Sequence, residues 1–119
     1  MASNICIIDA QLTIFHVKVE RSVKPNSAEY EIEWDRRKSL LNQAKHRISF
    51  EEAATIFADP LEIMIDDPEH SDKEHRFISI GESFSRRLLV VSYTERGDTI
   101  RIISARKPTT RERRTYEGN

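Results

Sequence analysis

Residues 94–116 read TERGDTIRIISARKPTTRERRTY. Glu95-Arg96-Gly97-Asp98 has the composition of a tight turn between two strands. Thr99 to Arg106 follows with the period of a strand, arginines set among its aliphatic residues, and Pro108, Thr109 and Thr110 open a basic helix. Between Arg86 and Arg114 there are nine Lys/Arg against three Asp/Glu, in a chain whose net charge is −1. So strong a local excess implies a surface shaped for an anion, with phosphate the foremost candidate.

Upstream, Leu88-Leu89-Val90-Val91 is an unbroken apolar run, which predicts a central strand covered on both faces. Leu61 to Ile65, His75 to Gly81, Leu88 to Thr94 and Thr99 to Arg106 predict four strands joined by short turns, an antiparallel meander. A helix precedes them: Ser49 and Glu52 have capping-box spacing, Phe50, Ala53, Ala54, Ile56 and Phe57 give it an apolar side, and Pro60 ends it. An earlier helix, Arg36 to His46, has Asp35 as N-cap. Its expected buried residues are Leu40, Leu41 and Ala44, with Arg36, Arg37, Lys38, Asn42 and Lys45 outward. Tyr30, Ile32 and Trp34 alternate with glutamates, the pattern of a half-buried strand. The last helix runs from about Thr109 to Glu117. The order predicts an α+β fold in which two N-terminal helices and one C-terminal helix pack on an antiparallel sheet.

At 119 residues the chain forms one core. A lone Cys6 excludes an internal disulfide framework and makes a reducing cytoplasm the expected compartment. No apolar run approaches the roughly 20 residues that span a bilayer, so no membrane role is expected. Asp9 within the first apolar stretch, and no basic residue before Lys18, argue against a signal peptide. From Glu51 to Glu74 nine acidic residues stand against one lysine, a patch suited to a protein partner and unsuited to nucleic acid. The adjacent helices therefore do not read as a helix-turn-helix. Residues 1–28 hold two β-prone segments and a polar break at Lys24 to Ser27, and read as an N-terminal extension.

Three constellations carry candidate chemistry. Arg76, Arg101 and Arg106 lie on strands, where flanking side chains hold a guanidinium whose planar fork matches two phosphate oxygens. Arg101 and Arg106 have opposite parity, so they share a face only if the strand is irregular between them. Lys45-His46 ends the first helix and Glu74-His75-Arg76 begins a strand; histidine exchanges protons near neutral pH, and a carboxylate orients it or acts as base. The plainer reading of His46 is a helix end that complements the dipole. The loop from Asp66 to His75 is rich in carboxylates and histidine, but its spacing matches no metal motif, and no metal is assigned.

Taken together, E-W-D-x-x-K-x-x-x-N-x-x-K-H (33–46), SFEEA (49–53), Asp59-Pro60, E-x-R-x-x-x-I-G (74–81) and LLVVSYTERGDTIRIISARKPTTRERRTYE (88–117) resemble the BrnT family of type II toxins, with a RelE-like ribonuclease fold. The resemblance covers about Glu29 to Glu117, within an expected toxin domain of 29–119; residues 1–28 have no counterpart in it and are expected to be an extension dispensable for the fold. It implies a translation-inhibiting endoribonuclease that cleaves RNA by 2′-hydroxyl attack without metal or cofactor. It also implies a BrnA-type ribbon-helix-helix antitoxin, with operator DNA reached only through that partner. Arg76, Arg101 and Arg106 then map as phosphate and transition-state stabilisers, Lys45 and His46 as basic or proton-transferring residues, and Glu74 as base or orienter of Arg76. Arg111, Arg113, Arg114 and Tyr93 map as RNA contacts. The rival expectation is a non-catalytic module that only pairs with the DNA-binding antitoxin. Sequences of the family it resembles usually carry glycine where Arg47 stands here.

Overall fold

The computed structural model describes residues 6–7, 14–20, 29–66 and 75–118. Seven strands, β1 (Cys6–Ile7), β2 (Ile14–Glu20), β3 (Glu29–Asp35), β4 (Ile63–Asp66), β5 (Arg76–Glu82), β6 (Leu88–Arg96) and β7 (Thr99–Arg106), form one sheet in the order β1-β2-β3-β7-β6-β5-β4. Three helices accompany them: α1 (Arg36–His46), α2 (Phe50–Ala54), which runs into a 3₁₀ turn at Thr55–Ala58, and α3 (Thr110–Glu117). The fold is α+β, and none of these helices is long and apolar enough to cross a membrane.

The four-strand meander is present as expected, β4 through β7 pairing antiparallel in succession. The sheet as a whole is mixed, which corrects the expectation of a purely antiparallel one. β3 lies parallel to β7, with Ile32 opposite Ile100 and Glu33 opposite Arg101. Strands β4 to β6 intervene between β3 and β7 in the chain, and the meander brings its last strand back beside β3 in the same direction.

One face of the sheet carries the core. Ile32 and Trp34 of β3, Leu89, Val91 and Tyr93 of β6, and Ile100, Ile102 and Ala105 of β7 meet Ile48, Phe50, Ala53, Ala54, Ile56 and Phe57 from the α1–α2 segment. Val90, on the other face of β6, is also buried, so the apolar run is covered on both sides. Gly81 lets the 3₁₀ turn approach: a Cβ there would lie 3.1 Å from Ile56 Cβ and 3.2 Å from its carbonyl oxygen.

α1 packs with the opposite face from the one its leucines predict. Leu40 and Leu41 are 58% and 64% exposed, while Ser39 and Asn42 are buried. The reason is what the helix touches. β3 pairs with β7 only through Arg101, so the edge of β7 beyond it needs another partner. Asn42 supplies one: its Nδ2 donates to Ala105 O (2.9 Å) and Ile48 O (2.9 Å), and Ala105 N donates to its Oδ1 (3.2 Å). Ser39 Oγ accepts from Phe50 N, the first amide of α2. Short polar groups face inward because backbone polar groups must be satisfied there. Asp35 caps α1 by accepting from Arg37 N and Lys38 N. Arg47 takes the left-handed conformation (φ 60°) usually left to glycine and closes the helix through its N–H to Gln43 O.

A candidate phosphate-binding face

The sheet surface away from the core is where the arginines gather. In β6 and β7 the register slips between Ser92 and Tyr93: Ser92 faces Ser104, but Tyr93 faces Ile102. Ile103 is thus one residue too many, a bulge that reverses the parity of everything after it. Arg101 opposes Thr94 and Arg106 opposes Val90, both even positions of β6, so the two arginines share one face. Arg76 opposes Thr94 from β5. All three strand arginines therefore lie on the same surface. Arg76 and Arg101 flank Thr94 at a backbone separation of about 10 Å, two strand spacings. Arg106 is about 13 Å further along the strands, with the half-buried Ser92–Ser104 pair between.

Each arginine of β7 is held by a carboxylate. Arg101 Nη1 donates to Glu33 Oε2 at 2.7 Å, a cross-strand pair fixed by the parallel register. Arg106 donates twice to Glu112, Nη1 to Oε1 (2.7 Å) and Nη2 to Oε2 (2.8 Å). Glu112 is also the return half of a capping box: its Oε1 accepts from Thr109 N, and Thr109 Oγ1 accepts from Glu112 N. The Arg106 hydrogen bond, reinforced by those from Thr109, lowers the Glu112 carboxyl from 4.5 to about 2 against the opposing effect of burial. α3 is pinned at its other end by Tyr116, whose hydroxyl donates to Asp59 Oδ2 at 2.6 Å. Burial first, and then the Asp59 carboxylate, raise the Tyr116 phenol well above its ordinary range. Arg111, Arg113 and Arg114 remain exposed on α3, Arg113 with an i,i+4 contact to Glu117 at 3.6 Å.

The remaining candidates are distributed unevenly. Lys45 is exposed and His46 half-buried at the end of α1. Asn42 fixes α1 to Ala105, and Arg87 Nη2 donates to Arg47 O (3.0 Å) while also gripping Glu52. These ties carry Lys45-His46 to the Arg106 end of the sheet, on the far side of β6 and β7 from Arg76. Glu74 lies outside the described residues. Tyr93 is fully buried, edge-on to Phe57 at 5.0 Å, with its hydroxyl 2.8 Å from Ser79 Oγ, which in turn donates to Glu62. It presents nothing to a surface ligand and is a core residue, which corrects its place among the RNA contacts.

Sequence reasoning missed Glu33 and Glu112 as the arginine partners. Glu33 could not be found without the parallel register. Glu112 could, because Thr109-x-x-Glu112 is a capping-box spacing within the sequence.

Fold and face together define a small α+β protein with an arginine-bearing sheet surface suited to an anionic ligand. Residues 34–112 match the family described as "Ribonuclease toxin, BrnT, of type II toxin-antitoxin system", and the chain belongs to that family. Among solved structures, the ribonuclease toxin BrnT of Brucella abortus is similar, at 22% sequence identity over 65% of this chain and 94% of that one, with a TM-score of 0.47. No curated protein matches the chain. Family membership rests on the sequence match.

Proposed function

We propose that the protein is a metal-independent endoribonuclease of RelE-like architecture that inhibits translation in the cytoplasm. Its partner is a BrnA-type ribbon-helix-helix antitoxin, through which alone it reaches operator DNA. Residues 29–119 are the toxin domain and 1–28 an extension to it. The observation that carries the catalytic reading is the bulge at Ile103, which turns Arg101 and Arg106 onto the face that also bears Arg76.

In this reading Arg76 and Arg101 hold the scissile phosphate from two sides and neutralise the charge that grows on its oxygens in the transition state. Glu74, two positions before Arg76, accepts the proton of the 2′-hydroxyl. The 2′-oxygen attacks phosphorus, the P–O5′ bond breaks, the departing 5′-oxygen takes a proton from solvent, and the products are a 2′,3′-cyclic phosphate and a 5′-hydroxyl. Lys45 and His46 take the RNA backbone at the other end of the face, where Arg106 is held by Glu112. Arg111, Arg113 and Arg114 guide it along α3.

The test is direct. Purified protein is incubated with a defined RNA in the presence of a strong chelator. Cleavage that persists and leaves cyclic phosphate ends is the expected result. Cleavage abolished by the chelator overturns the metal-free mechanism. No cleavage, with growth arrest absent on expression, favours the non-catalytic module that only pairs with the antitoxin.

A further inference from the structure

Thr94 stands in the middle of the arginine row, opposite Arg76 on one side and Arg101 on the other. It is 4% exposed, and its Oγ1 is the buried side-chain polar atom without a hydrogen-bond partner among the described residues. The other buried serine and threonine hydroxyls among the described residues are engaged: Ser79 donates to Glu62, Ser83 to Glu52, Thr55 to Glu52 O, and Ser39 accepts from Phe50 N. An idle buried hydroxyl costs stability. Valine has the same shape and suits a central strand at least as well, so packing does not account for threonine at this position.

The neighbours explain it better. The guanidinium of Arg101, one strand from Thr94, is drawn to Glu33 on the next strand out. A phosphate accepting from Arg101 and Arg76 would sit over the strand between them, which is β6, and over Thr94. We propose that the Thr94 hydroxyl is a phosphate-binding group, donating to a non-bridging oxygen of the phosphate that Arg76 and Arg101 hold. The ligand's chemistry is a phosphate oxyanion, carried either by an RNA backbone or by free phosphate. This assignment deepens the ribonuclease reading and rests on it for its consequence in cleavage, while its binding consequence stands alone.

The experiment compares full-length wild type with Thr94→Val and Thr94→Ser. Three quantities are read: melting temperature, affinity for a 2′-deoxy oligonucleotide that cannot be cleaved, and cleavage of the matching RNA. Loss of a hydrogen bond to a charged oxygen predicts a 10- to 100-fold weaker interaction in Thr94→Val, in binding and in cleavage alike, with a melting temperature equal to or above wild type. Thr94→Ser keeps the hydroxyl and is expected within about threefold of wild type. Inorganic phosphate as competitor separates the ligand sources. If it displaces the oligonucleotide from wild type but not from Thr94→Val, a bare phosphate group is recognised; if it displaces neither, the polynucleotide backbone is. Should wild type bind but not cleave, the ribonuclease reading falls while the binding comparison still decides on Thr94. Undiminished binding by Thr94→Val overturns the proposal. So does a loss that Thr94→Ser fails to restore, which would mark a packing role.

Discussion

Arg101 and Arg106 occupy the same face of the same strand, each against one glutamate, yet they are held in different ways. Arg106 is clamped. Two parallel bonds tie it to Glu112, and Glu112 is itself fixed by a capping box that begins α3. Moving Arg106 would unmake the start of a helix. Arg101 has one bond to Glu33, reached across a strand pair that ends at that residue. Beside it lies the idle Thr94 hydroxyl. Identical side chains on one strand thus divide into a structural tie and a ligand group, according to how many bonds the partner makes and what else the partner supports.

Truncation separates the two most sharply. Arg101→Ala is expected to lower RNA cleavage by roughly 100-fold or more, the scale for removing one preorganised transition-state donor, while leaving thermal stability near wild type. Arg106→Ala is expected to do the reverse in emphasis, losing about 1–2 kcal/mol, a few degrees in melting temperature, because Glu112 is left without its main partner. Melting curves and initial rates on the same preparations decide. A stable but inactive Arg106→Ala beside an unstable Arg101→Ala would invert the division.

pH gives the second, smaller contrast. The Glu112 carboxyl is lowered from 4.5 to about 2 in the folded protein. Its contribution is therefore fully present above about pH 4.5 and is lost as pH falls through 2. Because Arg106 is 39% exposed, solvent screening leaves about 1 kcal/mol or less for this effect. Glu52, lowered chiefly by its hydrogen bond to Arg87, titrates in the same sense, so the measurement is a difference between proteins. Wild type should lose more stability than Glu112→Gln between pH 6 and pH 3 by chemical denaturation. Equal losses would mean that the clamp contributes nothing.

Much of this architecture was legible in the residues, and what was not has identifiable causes. Alternation in Tyr30 to Trp34 and the apolar run at Leu88 to Val91 marked β3 and β6, because side-chain period is a local property. The caps at Asp35 and Ser49 were equally local. The inward face of α1 was misread, since its leucines follow the usual rule and its burial is decided by an unsatisfied strand edge about 60 residues away, at Ala105. Placing Arg101 and Arg106 together depended on a bulge that no residue type at Ile103 announces. The parallel pairing of β3 with β7, which gives Arg101 its glutamate, is likewise a fact of topology and is absent from either segment taken alone.

The finest test of the division lies in Glu33. If Arg101 is a ligand group at rest on a carboxylate, Glu33 competes with phosphate for the same guanidinium. Glu33→Gln keeps the shape and removes the charge. The folded state loses one half-buried pair, a change of less than about 1 kcal/mol, because Arg101 is 26% exposed and water can replace part of the contact. The anion meanwhile meets an arginine no longer neutralised, so oligonucleotide affinity should rise by a few-fold, most visibly at low salt. The matching change at the clamped end, Glu112→Gln, is expected to cost stability and to bring no such gain, since its arginine is bound into the start of α3. Filter binding of a 2′-deoxy oligonucleotide to both variants at two salt concentrations reads the contrast. Weaker binding by Glu33→Gln would show that Glu33 positions Arg101 for the phosphate and does not compete with it, and the two arginines would then be held for the same purpose.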